Sequence, residues 1–424
     1  MPLRLGLLLL GLAGCGYKLV EDSAQPEDCT LGGRLDYVAD RMHGEYLWAE
    51  FSPLIEPVGY ASPEVYLADH RYEALDRWSY AKDLSEATAY WEEGAYLGVG
   101  MRMIYDHEGF PVVSLVYPDG PAGQAGLSRG DRVLALNSVA MEDITSSAEW
   151  DAAYGPRDEG AEVVYTVEGL DGEVRDVTVV LSEVITPPLL GSRVFELDGR
   201  VVGYFMLTSF VEPADPALDT LFESFAEAGV DTVFIDLRYN GGGLIAVARH
   251  LAGLLLPGHD GEVFQHYIHN TEHADADTFT ELEAHDHAIA VDSVVVFTTG
   301  DTASASEMLA FALEPYLPVH RVGSKTVGKP VGMEHFEMCD LFVAPITFQV
   351  ANRDEPAEWF GGMAPHCEAL DDLTTTLGGD TDPMVQGAAT VLSGGDCVSL
   401  VSRGTPNTAM NRHHTDPWTA MTGW

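Results

Sequence analysis

Apolar residues recur along the chain with three different textures. Between Cys29 and Ala87 they fall near helical spacing, as in Leu35, Val38, Met42, Tyr46 and Leu47, which predicts a mostly helical segment with one apolar face. The aromatic residues of that segment, Trp48, Phe51, Tyr72 and Trp78, are expected in its core. From about Trp91 to Glu183 the pattern shortens to strands and turns, with an apolar run at Pro111–Val116 and a hairpin signal at Leu170-Asp171-Gly172-Glu173. From Gly191 onward, apolar strands alternate with helices. Strands are predicted at Arg200–Leu207, Val230–Leu237 and Ser293–Thr299, and helices at Pro216–Ala228 with Asp215 as N-cap, Leu244–Leu256, and Ala305–Glu314 before Pro315. Such alternation implies an α/β domain with a largely parallel sheet.

Charge narrows the function. Asp and Glu number 67 against 22 Lys and Arg, a net charge of −45. A surface so acidic is unsuited to gripping phosphates and argues against nucleic acid as a partner. At the start of the chain, the run Leu5–Leu12 is too short to span a bilayer and reads as a targeting segment. It ends in Leu12-Ala13-Gly14-Cys15, which resembles a bacterial lipobox. That resemblance implies a signal peptide over residues 1–14, lipidation of Cys15 and a polar tether over Gly16–Glu27. The expectation is a lipoprotein of the cell envelope, anchored to a membrane on its periplasmic side or at the cell surface. Cys29, Cys339, Cys367 and Cys397 remain for disulfides, with Cys339–Cys367 the expected pair because both lie in one predicted subdomain.

The candidate chemistry starts at Val294–Glu307. There an apolar strand gives way through Gly300-Asp301-Thr302-Ala303-Ser304 to a helix. A serine at such a junction stands on a tight turn, and the helix N-terminus offers free N–H groups to a developing oxyanion. Ser304-Ala305-Ser306-Glu307 also fits a capping box, so this segment alone reads more readily as a plain N-cap than as a nucleophile. Two further motifs shift the reading: Asp236-Leu237-Arg238-Tyr239-Asn240-Gly241-Gly242-Gly243 before it and Val322-Gly323-Ser324-Lys325-Thr326-Val327-Gly328-Lys329 after it.

Together these motifs resemble the C-terminal processing peptidases, or tail-specific proteases. In that family a serine in a Ser-Ala-Ser-Glu turn is the nucleophile, and a lysine 25 positions later in a Thr-x-Gly-Lys loop is the general base. The spacing selects Ser304 over Ser306 and Lys329 over Lys325. The resemblance also covers a PDZ module. Tyr96–Met101, Gly120-Pro121-Ala122…Ala125-Gly126-Leu127 and Gly130-Asp131 before an apolar strand carry it, and Leu97, Gly98, Val99 and Gly100 form the loop implied to bind a peptide terminus.

The resemblance implies an α/β core of the crotonase/Clp-like spiral ββα type, an inserted β-rich PDZ module and an N-terminal helical segment. The implied boundaries are 15–90 for tether and helical region, 91–184 for the PDZ module, 185–395 for the peptidase domain and 396–424 for a polar tail. It implies a serine endopeptidase that needs no metal or organic cofactor and acts on polypeptides with apolar C-terminal tails. Ala305 and a glycine of Gly242-Gly243 supply the oxyanion donors, and Glu307 and Thr326 support the site. One position departs from the family. Four residues after the lysine, where a glutamine often orients the amine, stands Met333, which cannot make a comparable hydrogen bond. The alternative is therefore a catalytically impaired adaptor of the same fold that only binds peptides. His259, His266, His269, His273, His285 and His287, mixed with acidic residues but without an HExxH pattern, are expected to form a polar surface insertion rather than a metal centre.

Overall fold

The computed structural model describes residues 29–53, 55–395 and 397. The targeting segment, Cys15, the polar tether and all of the polar tail except Cys397 lie outside them.

The N-terminal region holds helices α1 (Leu31–Gly44) and α2 (Pro63–His70) and strand β1 (Tyr80–Asp83). Leu35, Val38, Met42 and Tyr46 are buried along one face, as the spacing predicts. The segment is less helical than expected, because β1 pairs with a distant strand, Leu341–Ala344, and extended loops fill the rest. Phe51 is an exception to the expected core, being 54% exposed and stacked on Tyr72.

A separate β-rich body follows. Its sheet runs β2 (Met101–Tyr105), β3 (Pro111–Val116), β4 (Arg132–Leu136), β5 (Glu162–Glu168) and β6 (Val174–Val180), with helix α3 (Ser147–Tyr154) packed over its core. The hairpin at 169–173 closes as its turn residues predict.

The third body is built on a six-stranded sheet. Its order is β7 (Leu189–Leu197), β8 (Arg200–Leu207), β9 (Thr232–Asp236), β10 (Ser293–Thr298), β11 (Val319–Gly323) and the short β12 (Cys367–Glu368); from β8 onward all pairs are parallel. Helices α4 (Ala214–Ala228), α5 (Ile245–Leu255) and α6 (Ala305–Leu313) make the crossovers and cover one face. Helix α7 (Pro383–Leu392) covers the other. Both faces are dry, so the strands read as apolar runs, with Val233, Ile235, Val294 and Val296 on one side and Phe234, Val295 and Phe297 on the other. Helix α4 begins at Ala214 after Pro213, so Asp215 lies in its first turn instead of capping it.

The disulfides differ from the expected pair. Cys29 bonds Cys339 and Cys367 bonds Cys397. The reason is topological: β1 draws the N-terminal region against the strand that follows Cys339, whereas Cys367 ends beside α7.

One buried network joins the second and third bodies. Arg238, fully buried, contacts Asp236, Asp371 and Asp382 at 2.6–2.9 Å. Arg129, from the β-rich body, reaches the same Asp371 at 2.7 Å and the Tyr239 hydroxyl at 3.0 Å. Burial pushes the Asp371 carboxyl up, but Arg238 and Arg129 pull harder and hold it below its ordinary value. Replacing the cation leaves Asp236 and Asp382 without a positive partner in a dry core, and Asp371 with Arg129 alone. Arg238→Met is expected to cost about 3–5 kcal/mol of unfolding free energy in urea denaturation.

Candidate active site

Strands β9, β10 and β11 are adjacent and parallel, so the loops leaving their carboxyl ends emerge side by side. They are residues 237–244, 299–304 and 324–330, the three segments that carry the sequence motifs. Ser304 and Lys329 line one cleft of about 1110 Å³, together with Gly243, Ile245, Tyr267 and Met333.

Ser304 sits at the start of α6 with φ 55° and ψ −121°. An ordinary N-cap is extended. This left-handed conformation in a non-glycine residue costs about 1–3 kcal/mol and is retained where a site over-determines it. Glu307 holds it, accepting the Ser304 N–H at 2.9 Å. The neighbouring Ser306 hydroxyl is committed elsewhere, donating to the Asn240 carbonyl at 3.0 Å.

Glu307 is only 1% exposed. Besides Ser304 it accepts the N–H of Gly328 at 2.8 Å, the N–H of Lys329 at 2.9 Å and the Thr326 hydroxyl. Burial pushes its carboxyl above the ordinary value, and these four donors oppose that shift. One carboxylate thus fixes both the serine turn and the lysine loop.

Lys329 is 1% exposed, whereas Lys325 is exposed. Burial drives the Lys329 amine well below its ordinary 10.5; the negative charges of Asp76 and Glu307 resist but do not win. The amine lies 5.8 Å from the centre of the Trp78 ring and 4.0 Å from the Met333 sulfur. Asp76 and Trp78 were not visible as site residues in the sequence. The available signal was local: Asp76 accepts the N–H groups of Trp78 and Ser79, a turn typical of aspartate. His335 is not set up as an ordinary titrating base, because burial first, and then Lys329 and Lys82, push it to about 4.

The glycine loop abuts the serine. A Cβ on Gly242 would come within 2.8 Å of the Ser304 Cβ. A Cβ on Gly243, whose φ is 137°, would lie 2.2 Å from the Phe210 carbonyl oxygen. Gly242 N–H already donates to the Asn240 side chain at 2.8 Å, which removes it as an oxyanion donor and corrects the sequence expectation for that residue. The N–H groups of Gly243 and Ala305 make no hydrogen bond among the described residues, which leaves these two to meet an anion.

In the β-rich body, Leu97 and Gly98 end a short strand, Ala95–Gly98, paired with Ser182–Ile185. Val99 and Gly100 form the turn into β2, anchored by Ala122 N–H to the Val99 carbonyl at 2.8 Å. Gly100 has φ 72°. Strand β2 is an edge of its sheet, which is the geometry that adds a further strand. Of the candidate histidines, only His285 takes part in a metal-sized cluster among the described residues.

The comparisons with known proteins agree with this architecture. The model for peptidase family S41 matches residues 201–368, and that for the PDZ domain matches residues 112–150. A carboxyl-terminal-processing protease of Picosynechococcus sp. is 27% identical over 344 residues, covering 80% of this chain and 79% of that protein. The chloroplastic carboxyl-terminal-processing peptidase 3 of Arabidopsis thaliana is 25% identical, over 73% of this chain but only 60% of its own length. In fold, the chain resembles a putative S41 protease from Bacteroides fragilis, with TM-score 0.68, 22% identity, and 84% of this chain and 97% of that one covered. It also resembles the photosystem II D1 C-terminal processing protease, with TM-score 0.53, 19% identity, and 88% and 99% covered.

Two outcomes follow from the burial of these groups. Glu307→Gln presents an amide NH₂ to donors that need an acceptor, so it should lower unfolding free energy by about 1–3 kcal/mol and speed amide exchange at Gly328 and Lys329. For Lys329, burial lowers the folded value below that of the unfolded chain, so between the two values the unfolded chain binds the extra proton and stability rises with pH up to 10.5. Lys329→Met should therefore raise the melting temperature at pH 7 and flatten this part of the pH dependence.

Proposed function

The chain belongs to peptidase family S41 and is a serine-type peptidase of the carboxyl-terminal-processing kind, and from that premise we propose that Ser304 and Lys329 are its catalytic pair. The observation that carries the reading is a lysine buried to 1% in the cleft that also holds Ser304. At its ordinary value a lysine is almost wholly protonated at pH 7 and cannot accept a proton. Burial makes the neutral amine available.

In this mechanism the neutral Nζ of Lys329 takes the proton of Ser304 Oγ as the oxygen attacks the scissile carbonyl. The tetrahedral oxyanion is met by the N–H groups of Gly243 and Ala305. Loss of one such donor typically costs about 3 kcal/mol of transition-state stabilisation. The ammonium of Lys329 then protonates the leaving amine, and water, deprotonated by the same lysine, releases the acyl group from Ser304. Met333 contributes only a weak sulfur acceptor, so Asp76 and Trp78 take over part of the orienting environment of the amine.

The substrate in this reading is the apolar C-terminal tail of a polypeptide. Its terminus is captured at Leu97–Gly100, and its chain adds to the exposed edge of β2. Lipidation at Cys15 and a cell-envelope location complete the reading. The two disulfides support an oxidising compartment.

Cleavage of an unstructured peptide with an apolar C-terminus tests the pair. Ser304→Ala should reduce kcat/KM by about 10⁴-fold or more. Lys329→Arg keeps the charge but cannot deprotonate, and should lose a comparable factor. Retained turnover in either variant removes the dyad; an inactive wild type with intact peptide binding favours the adaptor. In the active protein, kcat/KM should be flat from neutral pH into the alkaline range and fall as acid protonates Lys329. A rise continuing towards about 10.4 would instead mark an ordinary lysine.

A further inference from the structure

Behind one wall of the cleft, three chain segments bring Asp219, His250 and His285 together. Asp219 lies on α4, His250 on α5 and His285 in the loop before β10. One ligand atom from each lies within 4.8 Å of the others. His250 Nε2 is 2.9 Å from Asp219 Oδ1, and the two imidazole rings are 4.2 Å apart at 60°. Two further atoms are unaccounted for. His285 Nε2 and Asp215 Oδ1 are buried and have no hydrogen-bond partner among the described residues. Asp215 is one helical turn before Asp219 and lines the cleft itself.

The local sequence makes room for this arrangement. Gly253, inside α5, lies under the His285 ring: a Cβ there would be 2.8 Å from Nε2. Glycine in a helix interior costs about 1 kcal/mol relative to alanine, so the space it leaves is not free. The loop is tied down by the Ile289 N–H donating to the Leu254 carbonyl at 2.9 Å. The nearby cation, Arg249, is engaged by Glu283 at 3.1 Å, which offsets its repulsion of a second positive charge.

We propose that Asp219, His250 and His285 form a binding site for a divalent transition-metal ion, zinc by its chemistry. Two imidazoles and one carboxylate suit zinc, with a fourth position for water or Asp215. Ligand atoms around a tetrahedral zinc sit about 3.4 Å apart, so small side-chain rotations complete the shell. The ion would clamp the His285 loop onto α4 and α5, and the first turn of α5 walls the cleft. This inference is independent of the Ser304–Lys329 reading; of the histidines expected at the surface from sequence it takes His285 alone and pairs it with His250.

The test is zinc binding by calorimetry and metal analysis on the full chain, in a Ser304→Ala background that cannot cleave itself. One zinc per chain should bind, and zinc should raise the melting temperature. His250→Ala and His285→Ala should each weaken binding by about 100-fold or more and abolish the thermal shift. His266→Ala, outside the cluster, should change neither. Circular dichroism without zinc identifies any variant that fails to fold, and Asp219→Asn, nearly isosteric, then replaces it. Absence of stoichiometric zinc, or unchanged affinity in folded His250→Ala and His285→Ala or in Asp219→Asn, overturns the proposal.

Discussion

The site depends on one buried carboxylate. Parallel strands bring three loops to the same edge of the sheet, but strand order alone does not set loop conformation. Glu307 does so by gathering N–H groups from Ser304, Gly328 and Lys329 and a hydroxyl from Thr326. A carboxylate without partners would be costly in so dry a place; four donors make it tolerable. Its effect on Lys329 is double. It anchors the backbone of that residue while its charge favours the protonated amine, and burial opposes that charge and drives the amine well below its ordinary value. The chemistry therefore rests on a balance of desolvation against nearby negative charge, not on a single contact.

The same economy of contacts links the β-rich body to the site. Arg129 and Arg238 share Asp371, and Tyr239, which Arg129 also touches, directly precedes Asn240 and the glycine loop. Arg102 on β2 donates to the Tyr239 carbonyl at 2.6 Å. Strand β2 is thus tied, through a few hydrogen bonds, to the residue that directly precedes the Asn240–Gly243 loop.

Much of this was legible in the sequence because its causes are local. Continuous apolar runs mark β9 and β10, and the 25-position spacing from Ser304 to Lys329 reaches two loops of one cleft. Glu307 was visible as the acidic member of a capping box, although its larger role as acceptor for the 326–329 loop was not. What stayed hidden depends on distant segments. Asp76 and Trp78 approach Lys329 across some 250 residues, and Cys29 finds Cys339 across 310. Gly242 and Gly243 are indistinguishable in sequence, and only the Asn240 side chain decides which N–H is left over. Phe51, expected in the core because it is aromatic, lies 54% exposed, so residue type alone does not set burial depth.

The proposed mechanism requires that Lys329 carry no proton in the folded protein near neutral pH. The most direct measurement is an NMR titration of its Nζ in the folded chain, assigned by comparison with Lys329→Met. A midpoint well below 10.5 is expected, with the amine neutral at the pH where the protein works. A midpoint at the ordinary lysine value would contradict it, since a protonated Lys329 has no free lone pair with which to activate Ser304.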